Sequence, residues 1–262
     1  MGKFLSSLLY KFIKFWVWLF YPKTKVKGTE HLPDGPAVIV GNHAKMNAPI
    51  ACELYFPGTH YTWTAGEMMI LKEVPEYAFQ DFWSDKPRYN RWFFKLLSYF
   101  IAPFSVCVFN NANCIGVFHD TRLMSTFRTS VDMLEQGAYV IILPEHDVPH
   151  NNIVCEFQDR FIDVAKMHYR KTHEEISFVP MYTAPRLKSI YLGEPIRFDA
   201  SAPIKEERQR ISEYLMDEIT RIARDLPEHT VLPYPNVPKK QYPSNKDTDV
   251  YDFHAVNKRK KK

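Results

Sequence analysis

Polar side chains that could take part in proton transfer stand at the ends of two predicted strands. His43 follows the apolar run Pro36–Val40, and Glu145 follows the run Tyr139–Leu143. The end of a strand is a common place for a site in an α/β protein. A histidine there is also compatible with a structural role, and a carboxylate there is compatible with capping the next helix. Both residues are therefore candidates whose roles depend on the surrounding elements.

The elements around these residues alternate between strands and helices. Apolar, β-branched and aromatic runs predict strands, and apolar residues at helical spacing predict helices. The predicted strands are Pro36–Val40, Tyr61–Thr64, Phe104–Phe109, Tyr139–Leu143, Ser177–Tyr182 and Ser189–Leu192. The predicted helices are Ala48–Phe56, Arg91–Ile101, Thr121–Glu135, Phe157–Arg170 and Lys205–Leu226. This alternation predicts an α/β fold with a largely parallel sheet flanked by helices.

The first 22 residues predict an N-terminal amphipathic helix. Drawn as a helix, this segment places Phe4, Leu8, Phe12, Phe15 and Leu19 on one face and Lys3, Ser7, Lys11 and Lys14 on the other. The apolar stretch is too short and too often interrupted by lysine for a spanning helix. Interfacial aromatic rings and lysines favour a helix lying on a membrane surface, and packing on the domain's own core is the alternative.

Composition indicates one α/β domain over residues 23–227, followed by a Pro-rich and basic tail over residues 228–262. The tail is expected to be extended or disordered, and its final KRKKK run is suited to an anionic membrane leaflet or simply to solvent. The four cysteines form no C-x-x-C pair and show no zinc spacing, so we expect a reducing, cytosolic setting and no metal. Beyond the charge run there is no nucleic-acid-binding motif, and no nucleic-acid partner is expected.

Four segments in order resemble the motif blocks of the glycerolipid acyltransferases, a family that includes the lysophosphatidic acid acyltransferases. The segments are VIVGNHAKMNAPI, NNANCIGVFHDTR, SVDMLEQGAYVIILPEH and ISFVPMYTAPRLKSIYLGEPIRFD. The residues that match the family pattern are Asn42, His43, Arg122, Gly137, Pro144, Glu145, Pro180, Gly193 and Pro195. Each segment is a weak signal, but four in the right order and spacing are hard to produce by chance.

The resemblance implies a chemistry for these residues. His43 would act as general base on an acceptor hydroxyl, whose oxygen then attacks the thioester of acyl-CoA or an acylated carrier protein. Asn42, Arg122 and Glu145 would bind substrate, with the planar guanidinium of Arg122 clamping the acceptor phosphate. No cofactor is implied beyond the acyl donor. The expected partners are membrane lipids and acyl-CoA or acyl carrier protein, at the cytoplasmic face of a membrane.

The first segment departs from the family pattern at the residue that should orient His43. The family carries Asp five residues after its His, and here that position is Ala48. Asn47 could orient the ring through its amide oxygen, and Asp120, Glu145 and Asp147 are alternative carboxylates. The segment after Glu145 also lacks the basic residue of the family's P-E-G-T-R motif.

The departures leave three functions open. The first is acyl transfer to a lysophospholipid-type acceptor such as 1-acylglycerol 3-phosphate. The second is a non-catalytic lipid-binding protein that keeps the fold. The third is acyl transfer to an acceptor without phosphate.

Overall fold

The computed structural model describes residues 2–83 and 87–248. The chain forms two compact units, one from the residues up to Pro22 with Tyr61–Thr129, the other from Lys23–His60 with the chain from Ser130 onward. The helices are α1 (Lys3–Phe20), α2 (Asn47–Tyr55), α3 (Val74–Trp83), α4 (Arg91–Asn111), α5 (Leu123–Glu135), α6 (Asp163–Thr172) and α7 (Ile204–Asp225). The strands are β1 (Lys25–Lys27), β2 (Ala37–Gly41), β3 (His60–Ala65), β4 (Cys114–Val117), β5 (Tyr139–Ile142), β6 (Glu145–Pro149), β7 (Cys155–Phe157), β8 (Ser177–Ala184), β9 (Ser189–Leu192) and β10 (Ile196–Arg197).

The second unit contains a mixed, mostly parallel sheet with the strand order β1-β9-β8-β2-β5. Strand β2 is parallel to both β5 and β8, β1 is parallel to β9, and β9 and β10 are antiparallel to β8. All five residues of β2 are buried, as expected for a continuous apolar run in a parallel sheet. Helix α7 packs on β8, and its residues Ile211, Leu215 and Ile219 are fully buried. The fold is α/β, as the sequence predicts.

The first unit combines the parallel pair β3 and β4 with α1, α3, α4 and the first half of α5. Its small core consists of Met68, Val74, Ala78 and Ala102. Helices α1 and α4 contact each other at Ser6, whose hydroxyl accepts a hydrogen bond from Asn111 Nδ2 at 2.8 Å. The predicted N-terminal helix is present, and none of its residues is buried.

The strand predicted at Phe104–Phe109 is wrong, because these residues form the second half of α4. Aromatic and β-branched residues gave the segment the composition of a strand. In the structure Ser98, Ala102 and Ser105 are buried at spacings of four and three, which is the period of a helix. Pro103 is accommodated on the exposed side of this helix. The predicted helix Phe157–Arg170 is also shorter than expected, since Cys155–Phe157 is strand β7 and α6 begins at Asp163.

The tail predicted to be extended or disordered is packed on the second unit as far as residue 248. Its backbone has little regular structure beyond a short 3₁₀ helix at Lys239–Gln241 and a bridge between Thr230 and Ser244. Val231, Val237 and Asn245 are nevertheless buried. Of the two states expected for the tail, extended or disordered, disorder does not hold for this part, and the KRKKK run lies outside the described residues.

Candidate functional site

The histidine predicted as the base lies directly after β2 and is anchored by its neighbour Asn42. The buried Asn42 side chain accepts a hydrogen bond from Thr183 N at 2.7 Å and donates one to Thr183 O at 3.2 Å. These side-chain hydrogen bonds join the chain after β2 to β8, beyond the last paired residues Gly41 and Met181. Asn42 was predicted to bind substrate, and here its amide joins two strands. It thereby fixes the backbone from which His43 projects.

The imidazole of His43 is oriented by the backbone of its own turn. Nδ1 forms a hydrogen bond with the carbonyl oxygen of Lys45. Because a carbonyl oxygen only accepts, Nδ1 carries the proton and the lone pair of the neutral ring lies on Nε2. The turn needs two residues in the left-handed region, Ala44 with φ 43° and Lys45 with φ 57°. Such backbone is costly for residues other than glycine and persists where surrounding contacts hold it.

Asn47 contributes to this turn from the first position of α2. Its Nδ2 donates to the carbonyl oxygen of Ala44 at 2.9 Å, and its backbone N–H donates to the same oxygen at 3.2 Å. The contact through Nδ2 supports the ring indirectly, by fixing the turn that carries the Lys45 carbonyl. Direct orientation of the ring by the Asn47 amide oxygen, one of the possibilities the sequence offers, stays a prediction.

Glu145 is buried between two segments of backbone at the site. One carboxylate oxygen accepts the backbone N–H of His43 at 2.5 Å, and the other accepts that of Cys155 at 2.9 Å. Burial raises the pKa of Glu145 to about 7, although the two N–H donors favour the ionised form. The residue was predicted to contact substrate. Its two hydrogen bonds make it a brace that ties the residue after β2 to β7.

Ala48, at the position where the resembled family carries Asp, is fully buried in α2. Its backbone N–H donates to the carbonyl oxygen of His43 at 3.3 Å. Of the other carboxylates considered, Asp147 is exposed on β6 and Asp120 binds Arg122. The hydrogen bond at His43 Nδ1 is made with the main-chain carbonyl oxygen of Lys45. Because every residue carries such an oxygen, a sequence motif cannot indicate this partner.

Arg122 lies in the first unit, where two carboxylates hold its guanidinium. Nη2 pairs with Asp120 at 2.8 Å and Nη1 pairs with Glu73 at 3.0 Å, while the guanidinium carbon lies 4.0 Å from the centre of the Phe118 ring. These partners raise the pKa of Arg122. A phosphate would meet an arginine already paired with two negative charges. The phosphate-binding role of Arg122 stays a prediction.

Two aromatic residues that the sequence did not single out contact the His43 turn. The Tyr234 ring meets the His43 ring edge-on, with centroids 5.7 Å apart. The Tyr242 hydroxyl accepts a hydrogen bond from Lys45 Nζ at 2.7 Å. Both tyrosines belong to the tail, almost 200 residues from His43, and no local signal in the sequence connects them with it.

Comparison with known proteins gives a likeness to solved structures. The sequence matches no protein-family model, and it matches no curated protein. Among solved structures, the chain is similar to the 1-acyl-sn-glycerophosphate (LPA) acyltransferase PlsC from Thermotoga maritima. The two share 13% sequence identity with a TM-score of 0.45, over 83% of this chain and 78% of that chain.

Proposed function

We propose that this protein is an acyltransferase that moves a fatty acyl chain from acyl-CoA or acyl carrier protein to a lysophospholipid-type acceptor such as 1-acylglycerol 3-phosphate. The observation that carries the proposal is His43, a histidine at the end of a central parallel strand with its Nδ1 proton bound to a carbonyl oxygen. The four ordered sequence segments supply the reaction class.

The proposed reaction uses the lone pair on His43 Nε2. Nε2 takes the proton from the acceptor hydroxyl as the oxygen attacks the thioester carbonyl. The tetrahedral intermediate then expels the thiolate, which takes the proton back from the imidazolium. The ester is formed, the thioester is broken, and His43 ends as it began. A carbonyl oxygen is a neutral partner and stabilises the imidazolium less than a carboxylate would.

A test of this role replaces His43 by Ala in the full-length protein. Transfer of labelled oleate from oleoyl-CoA to lysophosphatidic acid should fall by about 10² to 10⁴-fold, the usual contribution of a general base. The matched control is His173→Asn. His173 is exposed at the end of α6, and asparagine tolerates the left-handed backbone conformation of this position. Equal turnover by wild type and His43→Ala would remove His43 from the mechanism.

The non-catalytic lipid-binding alternative is favoured by Ala48, which stands where the resembled family carries the Asp of its dyad. The pairing of Arg122 with Asp120 and Glu73 favours instead an acceptor without phosphate, because these carboxylates occupy N–H groups that a phosphate would need. The same assay separates the two functions. Binding of lysophosphatidic acid without turnover on oleoyl-CoA or an acylated carrier protein would favour the alternative. Turnover on monoacylglycerol with none on lysophosphatidic acid would favour an acceptor without phosphate.

We further propose that the protein lies on the cytoplasmic face of a membrane through α1 and α4. The five residues of the predicted apolar face of α1 are more than half exposed, and α4 exposes Trp92, Phe93, Leu96, Tyr99, Phe100 and Phe104. Neither helix contains an acidic residue, and Lys3, Lys11, Arg91 and Lys95 add positive charge. Exposed aromatic rings beside lysine and arginine suit an anionic bilayer interface.

The packing of α4 favours a helix that lies in the interface over one that crosses it. Among the described residues, Arg88–Asn111 is long and apolar enough to cross a membrane. However, Ala102 of this helix belongs to the core of the first unit, and Ile101, Val106 and Phe109 pack against that core. One side of the helix is therefore covered by protein, and the other side is available to lipid.

A further inference from the structure

The chain after α7, residues 227–248, forms a segment that we term the C-terminal strap. Its second half is attached to the end of α7 through the buried Asn245. The Asn245 side chain donates to the carbonyl oxygen of Ala223 at 2.7 Å and accepts the backbone N–H of His229 at 2.7 Å. The backbone N–H of Val231 donates to the carbonyl oxygen of Pro243 at 2.9 Å. The two halves of the strap are thus joined to each other and to the end of α7.

His229 attaches the first half of the strap to the sheet. Its Nδ1 bonds the carbonyl oxygen of Pro227 at 2.7 Å, so Nε2 is the acceptor for the hydroxyl of Tyr182 at 2.9 Å. Tyr182 is buried in β8, next to Thr183, which pairs with Asn42. The strap and the backbone before His43 are therefore held by adjacent residues of one strand.

Between these attachments the strap contacts the turn that orients His43. Tyr242 receives the Lys45 ammonium on its hydroxyl at 2.7 Å, and Nζ lies 5.0 Å from the centre of the ring. The ammonium therefore lies at the hydroxyl end of the ring, and the hydrogen bond restricts the lysine side chain. Lys45 is the residue whose carbonyl oxygen binds His43 Nδ1, and its own backbone is left-handed.

We propose that the C-terminal strap positions the base, with Tyr242 as the positioning residue. By holding Lys45, Tyr242 stabilises the left-handed turn in which the Lys45 carbonyl accepts the His43 Nδ1 proton. Tyr234, edge-on to the imidazole, restricts rotation of the ring. The inference rests on the proposed function for its catalytic meaning, whereas the positioning of His43 can be measured without turnover.

The test reads the His43 tautomer by NMR in the full-length protein labelled with ¹⁵N-histidine, with His43→Gln assigning the signals. Wild type should show the Nδ1–H tautomer of neutral His43. Tyr242→Phe removes only the hydroxyl, and Lys45→Met removes the ammonium while keeping the chain length. Each variant should shift neutral His43 toward the Nε2–H tautomer that imidazole favours in water. The double variant should add little to either, since both remove the same contact.

Tyr191→Phe is the matched control. Lys27 Nζ lies 5.0 Å from the centre of the Tyr191 ring and 3.5 Å from its hydroxyl, so this pair has similar chemistry elsewhere in the second unit. Its removal should leave the His43 signals unchanged. An unchanged His43 tautomer in both Tyr242→Phe and Lys45→Met would overturn the inference.

Measurements of kcat and KM distinguish a failure of this inference from a failure of the proposed function. Tyr242→Phe should lower kcat about 10-fold at unchanged KM, because a misoriented base slows the chemical step more than binding. If the tautomer shifts as expected while neither wild type nor variant turns over any acyl donor, positioning by the strap stands and the transferase proposal falls. If kcat falls with an unchanged tautomer, the strap acts by another route and the inference is wrong.

Discussion

The helices of the first unit and the His43 region of the second unit use their side chains in opposite ways. Helices α1 and α4 present large apolar residues to the outside, with Phe4 84% and Trp92 69% exposed. Around His43, buried polar side chains such as Asn42, Glu145 and Asn245 are hydrogen-bonded to backbone. The apolar side chains of these helices are available to an external partner, whereas the buried polar groups around His43 hold an internal geometry.

The largest expected effect tests whether the His43 region has room for the carboxylate of the resembled family. Ala48→Asp should lower the free energy of unfolding by roughly 3–5 kcal/mol, because position 48 is fully buried and the new carboxylate would have no positively charged partner there. Urea unfolding measures this loss, with Ala48→Ser as the small uncharged control. A stable Ala48→Asp protein with raised activity would show that a carboxylate improves on the Lys45 carbonyl.

The next effect concerns the buried brace Glu145. Its carboxyl has a pKa of about 7 in the folded protein and an ordinary value of 4.5. As pH rises from 4.5 to 7 the unfolded chain releases this proton first, so the free energy of unfolding should fall by about 3 kcal/mol and then level off. Below pH 4.5 both states are protonated and the group contributes no slope. For Glu145→Gln the free energy of unfolding should not fall between pH 4.5 and 7, although this variant loses a hydrogen bond at every pH.

Urea unfolding at a series of pH values measures both proteins. The two proteins are compared by the slope of the free energy of unfolding between pH 4.5 and 7. The lost hydrogen bond lowers the free energy of unfolding of Glu145→Gln at all pH values and does not change this slope. Parallel curves for wild type and Glu145→Gln would contradict a raised pKa at this residue.

Substitutions in the exposed apolar faces of α1 and α4 should have a large effect on membrane binding and a small effect on folding. Replacing Phe100 and Phe104 by Ser should weaken binding to anionic vesicles by about 2 kcal/mol for each side chain that enters the bilayer. Removing residues 1–21 should weaken it further. Thermal unfolding in the absence of lipid should change little for the double Ser variant, because both rings are exposed.

Flotation with vesicles of anionic and of neutral lipid measures the membrane effect. Equal flotation of wild type and both variants would exclude α1 and α4 as the attachment. The basic run at the chain end would then be the next candidate.

The smallest effect on stability is expected at Arg122, whose ion pairs are partly exposed to solvent. Arg122→Gln should leave the melting temperature nearly unchanged. If Arg122 binds phosphate, the variant should raise KM for lysophosphatidic acid and leave KM for monoacylglycerol unchanged. Glu73→Gln, which removes one competing carboxylate, should lower KM for lysophosphatidic acid. Unchanged KM values in both variants would mean that Arg122 serves only its own ion-pair cluster.

Much of the fold could be predicted because its signals are local. Apolar runs predicted β2, β5, β8 and β9 to within two residues, since buried parallel strands are continuously apolar. The second half of α4 was mistaken for a strand, because FSVCVF has strand composition and its helical burial becomes visible only against the packed core. Strands β4 and β7 are short, and β6 consists largely of polar residues, so none of the three has the apolar run that predicts a strand.

The sequence by itself determined which residues stand after the strands, including His43 and Glu145, because strand ends are marked by a change from apolar to polar residues. Only the tertiary structure decided what these residues bind. The acceptor for His43 Nδ1 is a main-chain carbonyl, which every residue carries and no motif can mark. The aromatic side chains that meet the His43 turn come from a segment whose composition predicted an extended or disordered chain. That segment is held by the hydrogen bonds of Asn245 and His229 with distant backbone and side chains. Contacts between residues so far apart in the chain depend on how the elements pack, and packing is a property of the folded molecule.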